Sequence, residues 1–191
     1  MKKFNFDEKK AKKAIKLLLE SFGEDLNREG LKRTPERVSE FYKEALSGNN
    51  INPLDLVPTS YSSEAHEEIV CIKDVAFYSL CEHHLLPFFG KVHIAYVPKK
   101  DKIAGVSKLV RFVEIFANRL QLQERFTKQI ADTIMDLLKP HGVMLIVEGE
   151  HLCMTMRGIK KTGSLVITQA VRGNFAEDEK IRKEATSLLG K

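Results

Sequence analysis

Tryptophan is absent from this sequence of 191 residues, cysteine occurs only three times, and no apolar run is long enough to cross a membrane. Three cysteines are too few for the disulfide framework that stabilises small secreted domains. A membrane-spanning helix needs about 20 apolar residues, and the N-terminus lacks the apolar core of a signal peptide. These absences predict a cytoplasmic protein that does not contact a membrane.

The net charge of +5 resides in one short segment. Residues 1–16 contain seven lysines against Asp7 and Glu8, and the rest of the chain carries equal numbers of basic and acidic side chains. Such a segment is typical of a solvated helix face, and it is also compatible with a polyanion-binding patch. Because the remainder is neutral, we expect no nucleic-acid partner and keep a zinc-stabilised nucleic-acid-binding module as the alternative.

The apolar spacing predicts two N-terminal helices, then two strands, two helices, two strands and a final helix. This order is typical of an α+β domain with antiparallel strand pairs and not of alternating βαβ units. We therefore predict an N-terminal helical extension and connector over residues 1–63 and a second domain over residues 64–191, which together form one functional unit. The predicted helices cover residues 5–22, 34–47, 107–120, 123–139 and 177–189, and the predicted strands 69–80, 91–97, 143–156 and 164–171.

A thiol and two imidazoles fall within the segment CEHH at residues 81–84. A second pair, His151 and Cys153, lies in a predicted strand, where alternate side chains project to one face. Thiolate and imidazole are ligands that zinc prefers. Four such ligands would form a closed structural site, whereas three ligands and a water would support hydrolysis. The residues alone leave both arrangements open. They are also compatible with cysteines that pack in the core beside surface histidines. The additional histidine favours the catalytic arrangement, because a structural site does not need it.

Cationic residues stand near both ends of this region. Lys108 and Arg111 follow Ser107, the predicted N-cap of the first internal helix, and Arg157 follows the strand that contains His151. A helix N-terminus supplemented by Lys and Arg is a good phosphate receptor. Neither G-x-x-x-x-G-K-[ST] nor G-x-G-x-x-G occurs, so a bound nucleotide would not be held by a standard glycine loop. Each of these charges is also compatible with a solvated loop.

An amide and a carboxylate, Gln123 and Glu124, begin the second internal helix. Guanine offers N1–H and an N2 amine as donors and O6 as an acceptor, so this pair suits guanine recognition. Taken alone, the same pair is typical of a solvated helix start.

Several segments, in this order and spacing, resemble type I GTP cyclohydrolase, the zinc-dependent form. The resemblance extends from about residue 5 to the C-terminus. The strings that carry it are RTPERV (33–38), SLCEHHLLPFFGKVHIAYVP (79–98), GVSKLVR (105–111), QLQER (121–125), EGEHLCMTMRG (148–158) and AVRG (170–173).

The resemblance implies a reaction and a role for each candidate residue. The reaction converts GTP and water to formate and 7,8-dihydroneopterin triphosphate, the first step of tetrahydrofolate and pterin biosynthesis. Another enzyme of the same fold that acts on a pterin or purine is a further reading. The implied zinc ligands are Cys81, His84 and Cys153. The implied proton-transfer residues are His83 and His151, and the implied substrate contacts are Ser107, Lys108, Arg111, Gln123, Glu124 and Arg157.

The resemblance also implies the fold and the assembly. The family has the tunnelling fold, an antiparallel ββααββ sheet with two helices on one face, preceded here by an N-terminal helical pair. Its subunits form a homodecamer in which neighbouring subunits share the active sites. Such an assembly would cover the sheet edges that a single subunit leaves exposed.

Overall fold

The computed structural model describes residues 5–56, 60–61, 66–99 and 103–191. The boundary predicted between residues 63 and 64 lies outside these ranges. None of the described helices combines the length and apolar character that crossing a membrane requires. The helices are α1 (Glu8–Ser21), α2 (Thr34–Ala45), α3 (Val106–Ala117), α4 (Gln123–Leu138), α5 (Leu152–Thr155), α6 (Asn174–Glu177) and α7 (Glu179–Leu189), and the strands are β1 (Ser60–Tyr61), β2 (Val70–Cys81), β3 (Pro87–Val97), β4 (Ile103–Ala104), β5 (Leu120–Gln121), β6 (Gly142–His151) and β7 (Val166–Gly173).

A five-stranded sheet in the order β5-β2-β3-β6-β7 organises the chain. All its neighbours pair antiparallel except β2 and β5, which pair in parallel. Helices α3 and α4 pack on one face through a core that includes Phe77, Phe112 and Phe126. Helix α7 packs on the other face around Met144 and Leu189. The α+β class with an antiparallel-rich sheet is therefore confirmed.

Strand β3 shows why both faces of the sheet are apolar. Val92 and Ile94 point into the core under α3 and α4, whereas Ala95 and Val97 belong to the cluster under α7. Alternate residues of a strand point to opposite faces, so a strand covered on both sides reads as a continuous apolar run. This burial fixes the register of β3 against β6, and that register places Phe88 opposite His151.

Some boundaries differ from those predicted. Strand β3 begins at Pro87, earlier than expected, because a proline is tolerated as the first residue of a strand. Gly105, and not Ser107, occupies the N-cap position of α3, which leaves Ser107 in the first helical turn. Strand β6 ends at His151 and continues directly into α5, so the strand predicted to reach residue 156 is too long.

Candidate metal centre and active site

Two thiols and one imidazole converge at the end of β2. The potential ligand atoms of Cys81, His84 and Cys153 all lie within 4.8 Å of one another. Cys81 is buried, Cys153 is half-buried and His84 is exposed, so the cluster opens to the surface on one side. Sulfur and imidazole nitrogen in this number match the donor set of a zinc site with one position left for water. The residues present therefore fit a zinc ion.

A tight turn after β2 brings His84 back towards Cys81. The Leu85 N–H donates to the Cys81 carbonyl at 2.9 Å, and the Cys81 N–H donates to the Leu86 carbonyl at 2.9 Å. Leu85 has a φ of 54°, in the left-handed region that a non-glycine residue rarely adopts. Such strain often accompanies functional sites, and here the turn places the candidate ligands Cys81 and His84 on one side.

An ion pair connects this turn to the start of α4. The Arg125 guanidinium donates to the Glu82 carboxylate, to the Leu120 carbonyl at 2.8 Å and to the Gln121 side-chain oxygen at 3.1 Å. The hydrogen bond from Arg125 lowers the pKa of Glu82 below its ordinary value. The Glu82 N–H also donates to the Gln121 carbonyl at 3.1 Å. The turn is thus held in place by the first turn of α4 and by the segment that precedes it.

The third candidate ligand, Cys153, reaches the cluster from a helix and not from a strand. The sequence argument, based on alternation in a strand, was wrong here because β6 ends at His151 and Cys153 lies in α5. Burial raises the pKa of the Cys153 thiol, and the neighbouring Cys81 raises it further, whereas the nearby Arg157 lowers it. Two thiolates side by side repel each other, and a cation between them removes that repulsion.

His151 lies beside the cluster and is held by other groups. Its ring stacks on Phe88, with centroids 4.6 Å apart and planes 7° apart. Its Nε2 atom lies 2.8 Å from Oε1 of Gln123. Burial lowers the pKa of His151, and the nearby Glu124 carboxylate opposes that effect. Within the described residues His151 is not among the converging ligands, which disfavours the closed four-ligand arrangement.

Two of the remaining candidates, His83 and Glu124, are exposed on the side where the cluster opens to the surface. His83 is exposed, and its ring lies 6.2 Å from that of His84 at 89°. Glu124 is exposed in the first turn of α4. One chain therefore brings the three converging groups, both candidate proton-transfer histidines, Glu124 and Arg157 to the same region.

The side chain of Gln123 is buried and does not reach the exposed side of the cluster. It is only 2% exposed, and both ends of its amide are hydrogen-bonded within the protein. The sequence does not reveal this burial, because a buried glutamine and a solvated glutamine at the start of a helix have the same sequence pattern. Neither the stacking of Phe88 on His151 nor the contact of Gln123 with His151 has a sequence signal, since both depend on strand register.

Helix α3, which carries Lys108 and Arg111, begins at the other end of the sheet. The Ala104 N–H, just before α3, donates to the Tyr96 hydroxyl at 3.3 Å. Tyr96 lies eight residues beyond Phe88 on β3, about 26 Å along the strand at about 3.3 Å per residue. Phe88 is the residue that stacks on His151. The start of α3, which carries Ser107, is therefore remote from the converging thiols of the same chain.

Comparison with known proteins identifies the family of this chain. The family model of GTP cyclohydrolase I matches residues 11–190. The GTP cyclohydrolase 1 of Carboxydothermus hydrogenoformans is 54% identical over 96% of this chain and 95% of its own length. That of Pelotomaculum thermopropionicum is 54% identical over 96% and 97%, and that of Clostridioides difficile is 52% identical over 96% and 96%. The chain therefore belongs to the GTP cyclohydrolase I family and is an enzyme.

Proposed function

We propose that this enzyme hydrolyses GTP at guanine C8, releases formate and forms 7,8-dihydroneopterin triphosphate, the first step of tetrahydrofolate and pterin biosynthesis. The convergence of Cys81, His84 and Cys153 within 4.8 Å, in a member of this family, is the observation that carries the proposal. Opening a guanine ring needs an activated water and proton donors. The cluster and its neighbouring histidines supply groups suited to both tasks.

Cys81, His84 and Cys153 would hold the zinc ion. When bound, zinc acts as a Lewis acid and lowers the pKa of a coordinated water to about 7. The free thiols that this site requires persist in a reducing compartment, which supports a cytoplasmic location.

The protein's own residues would bind guanine and move protons. We assign proton transfer to His83 and His151, one of which would protonate guanine N7 and make C8 more electrophilic. The exposed Glu124 carboxylate would accept hydrogen bonds from N1–H and the N2 amine. Arg157 would bind the triphosphate, since it is exposed and lies near Cys153. We do not assign guanine contact to the buried Gln123 side chain.

We further propose a homodecamer with the tunnelling fold, in which neighbouring subunits complete each active site. Ser107, Lys108 and Arg111 suit the triphosphate, yet α3 begins at the end of the sheet opposite to the metal cluster. In an assembly, these residues would serve the metal cluster of a neighbouring subunit. Strand β7 at one sheet edge, where Ile167 is 63% exposed, is available for contact between subunits.

Nucleic acid is not the partner that we propose. Lys10 and Lys12 of the basic N-terminal segment pair with Asp7 and Glu8 at 3.1 and 2.7 Å. These pairs reduce the positive field of the described part of that segment.

Co-expression of two inactive variants tests the shared site. Arg111→Ala and Cys153→Ser should each abolish most turnover as homo-oligomers. Random co-assembly in equal amounts should restore about a quarter of wild-type sites, because a site is intact only when both contributing subunits are intact there. Formate release per subunit measures the restoration.

Cys81→Ser co-expressed with Cys153→Ser is the matched control. Both ligands belong to one chain, so no mixed arrangement regenerates a complete metal site. Restoration in the control, or none with Arg111→Ala, would contradict a site shared in the proposed way.

Incubation with GTP tests the function itself. The zinc-loaded enzyme should release formate and a fluorescent pteridine in equal amounts, and a chelator should abolish both. A zinc-loaded enzyme that releases no formate would overturn the proposed reaction. Binding to polyanions that weakens steeply with salt, without turnover, would instead support the nucleic-acid alternative.

A further inference from the structure

The amide of Gln123 is fixed in one orientation by its surroundings. Its Nε2 atom lies 3.1 Å from the Val147 carbonyl oxygen, 2.8 Å from the Val166 carbonyl oxygen and 3.1 Å from the Thr168 hydroxyl. Backbone carbonyls only accept hydrogen bonds. The nitrogen end of the amide must therefore face β6 and β7, and the oxygen end must face His151.

This orientation decides which nitrogen of His151 carries a proton. Oε1 of Gln123 lies 2.8 Å from Nε2 of His151, and an amide oxygen only accepts. Nε2 must therefore be the donor. In the neutral ring, one nitrogen carries the proton and the other offers a lone pair. The neutral ring consequently has its lone pair on Nδ1.

Neighbouring elements hold the side chains of Gln123 and His151 in contact. Phe88 of β3 stacks on His151. The hydroxyls of Thr127 in α4 and Thr168 in β7 form a hydrogen bond of 2.6 Å. Gly149 on β6 leaves the space that Gln123 occupies, because a Cβ atom there would lie 2.4 Å from Oε1 of Gln123. The hydrogen bond to His151 thus depends on the absence of a side chain at Gly149.

We propose that Gln123 is a positioning residue that holds His151 in the Nε2–H form and reserves Nδ1 for proton exchange with the substrate. The proposal rests on the proposed function, in which His151 transfers protons. The Nδ1 lone pair accepts a proton to give a ring with two N–H groups, and returning that proton restores the neutral ring. Gln123 takes no proton in either direction, because Nε2 remains a donor throughout.

Solid-state ¹⁵N NMR of sedimented, zinc-loaded enzyme labelled at histidine tests the proposal. His151→Asn identifies the His151 signals by their loss. At a pH where the ring is neutral, wild-type enzyme should show a protonated Nε2 and an unprotonated Nδ1. A protonated Nδ1 with an unprotonated Nε2 would overturn the proposal, whatever any variant does.

Gln123→Leu should remove the preference and lower kcat by about 10- to 100-fold, as for lost orientation of a functional histidine. The KM for GTP should change much less than kcat, and the zinc content should remain that of wild type. If Gln123→Leu does not fold, Gly149→Ala serves instead, because its methyl group displaces Oε1 of Gln123. A folded variant with unchanged His151 signals and kcat would overturn the proposal.

Thr168→Val is the matched control within the same network. It removes one acceptor from Gln123 but retains the Val147 and Val166 carbonyls, which suffice for the two N–H groups of the amide. The His151 signals should keep the wild-type pattern, and loss of that pattern would contradict the role assigned to the carbonyls. Formate release by wild-type enzyme is measured separately, so failure of the reaction and failure of the positioning role give different results.

Discussion

Cys153→Ser should eliminate both the bound zinc and the turnover of this enzyme. A serine hydroxyl is a poor zinc ligand at neutral pH, and only Cys81 and His84 would remain of the three converging groups. Loss of a Lewis acid worth several kcal/mol lowers kcat by on the order of 10³-fold or more. Metal analysis of the purified protein and formate release from GTP measure the two effects. Cys81→Ser should give the same result.

Cys71→Ser is the control for loss of a thiol. Cys71 is half-buried in β2, where it packs with the cluster under α7, away from the converging ligands. Its zinc content and kcat should match those of wild type. Full turnover of Cys81→Ser and Cys153→Ser in metal-free buffer would exclude zinc from the mechanism.

His83→Ala and His84→Ala should separate proton transfer from metal binding at neighbouring positions. His83→Ala should keep one zinc per chain and lower kcat by about 10²- to 10⁴-fold, the range for loss of a general acid or base. His84→Ala should instead lose zinc. Both side chains are exposed, so neither substitution disrupts the core. Metal analysis beside steady-state kinetics on the two variants distinguishes the outcomes.

The two variants also test the geometry of the turn. If His83→Ala lost zinc and His84→Ala retained it, the ligand at this turn would be His83. If His83→Ala retained both zinc and full kcat, His151 would be the sole proton-transfer histidine, and its contact with Gln123 would gain importance.

Regular apolar spacing makes much of the fold predictable from the sequence. Helix α4 follows from Phe126, Ile130 and Ile134, which recur every four residues and are fully buried on one side. The end of β6 is not predictable in this way. Leu152, Cys153 and their neighbours continue an apolar pattern, and a helix of four residues is too short to reveal a helical period.

The site follows from the sequence only in part. Cys81 and His84 lie three residues apart in one turn, so their proximity can be read directly. The position of Cys153 beside them depends on how β6 pairs with β3, because Cys153 follows directly after the end of β6. The spacing of residues in one sequence does not specify that pairing. The distance between the start of α3 and the converging thiols is also invisible in the sequence, because it depends on how β3 spans the sheet between Phe88 and Tyr96.

The short helix α5 has a consequence for the free energy of substrate binding. Because α5 begins directly after β6, His151 and Cys153 contact different groups although they are two residues apart. His151 contacts Phe88 and Gln123, whereas Cys153 lies beside Cys81. Folding of the chain therefore restricts the His151 ring before zinc or GTP arrives. The entropy of ordering that ring is lost during folding and not during association, so more of the intrinsic affinity for GTP remains available to stabilise the transition state.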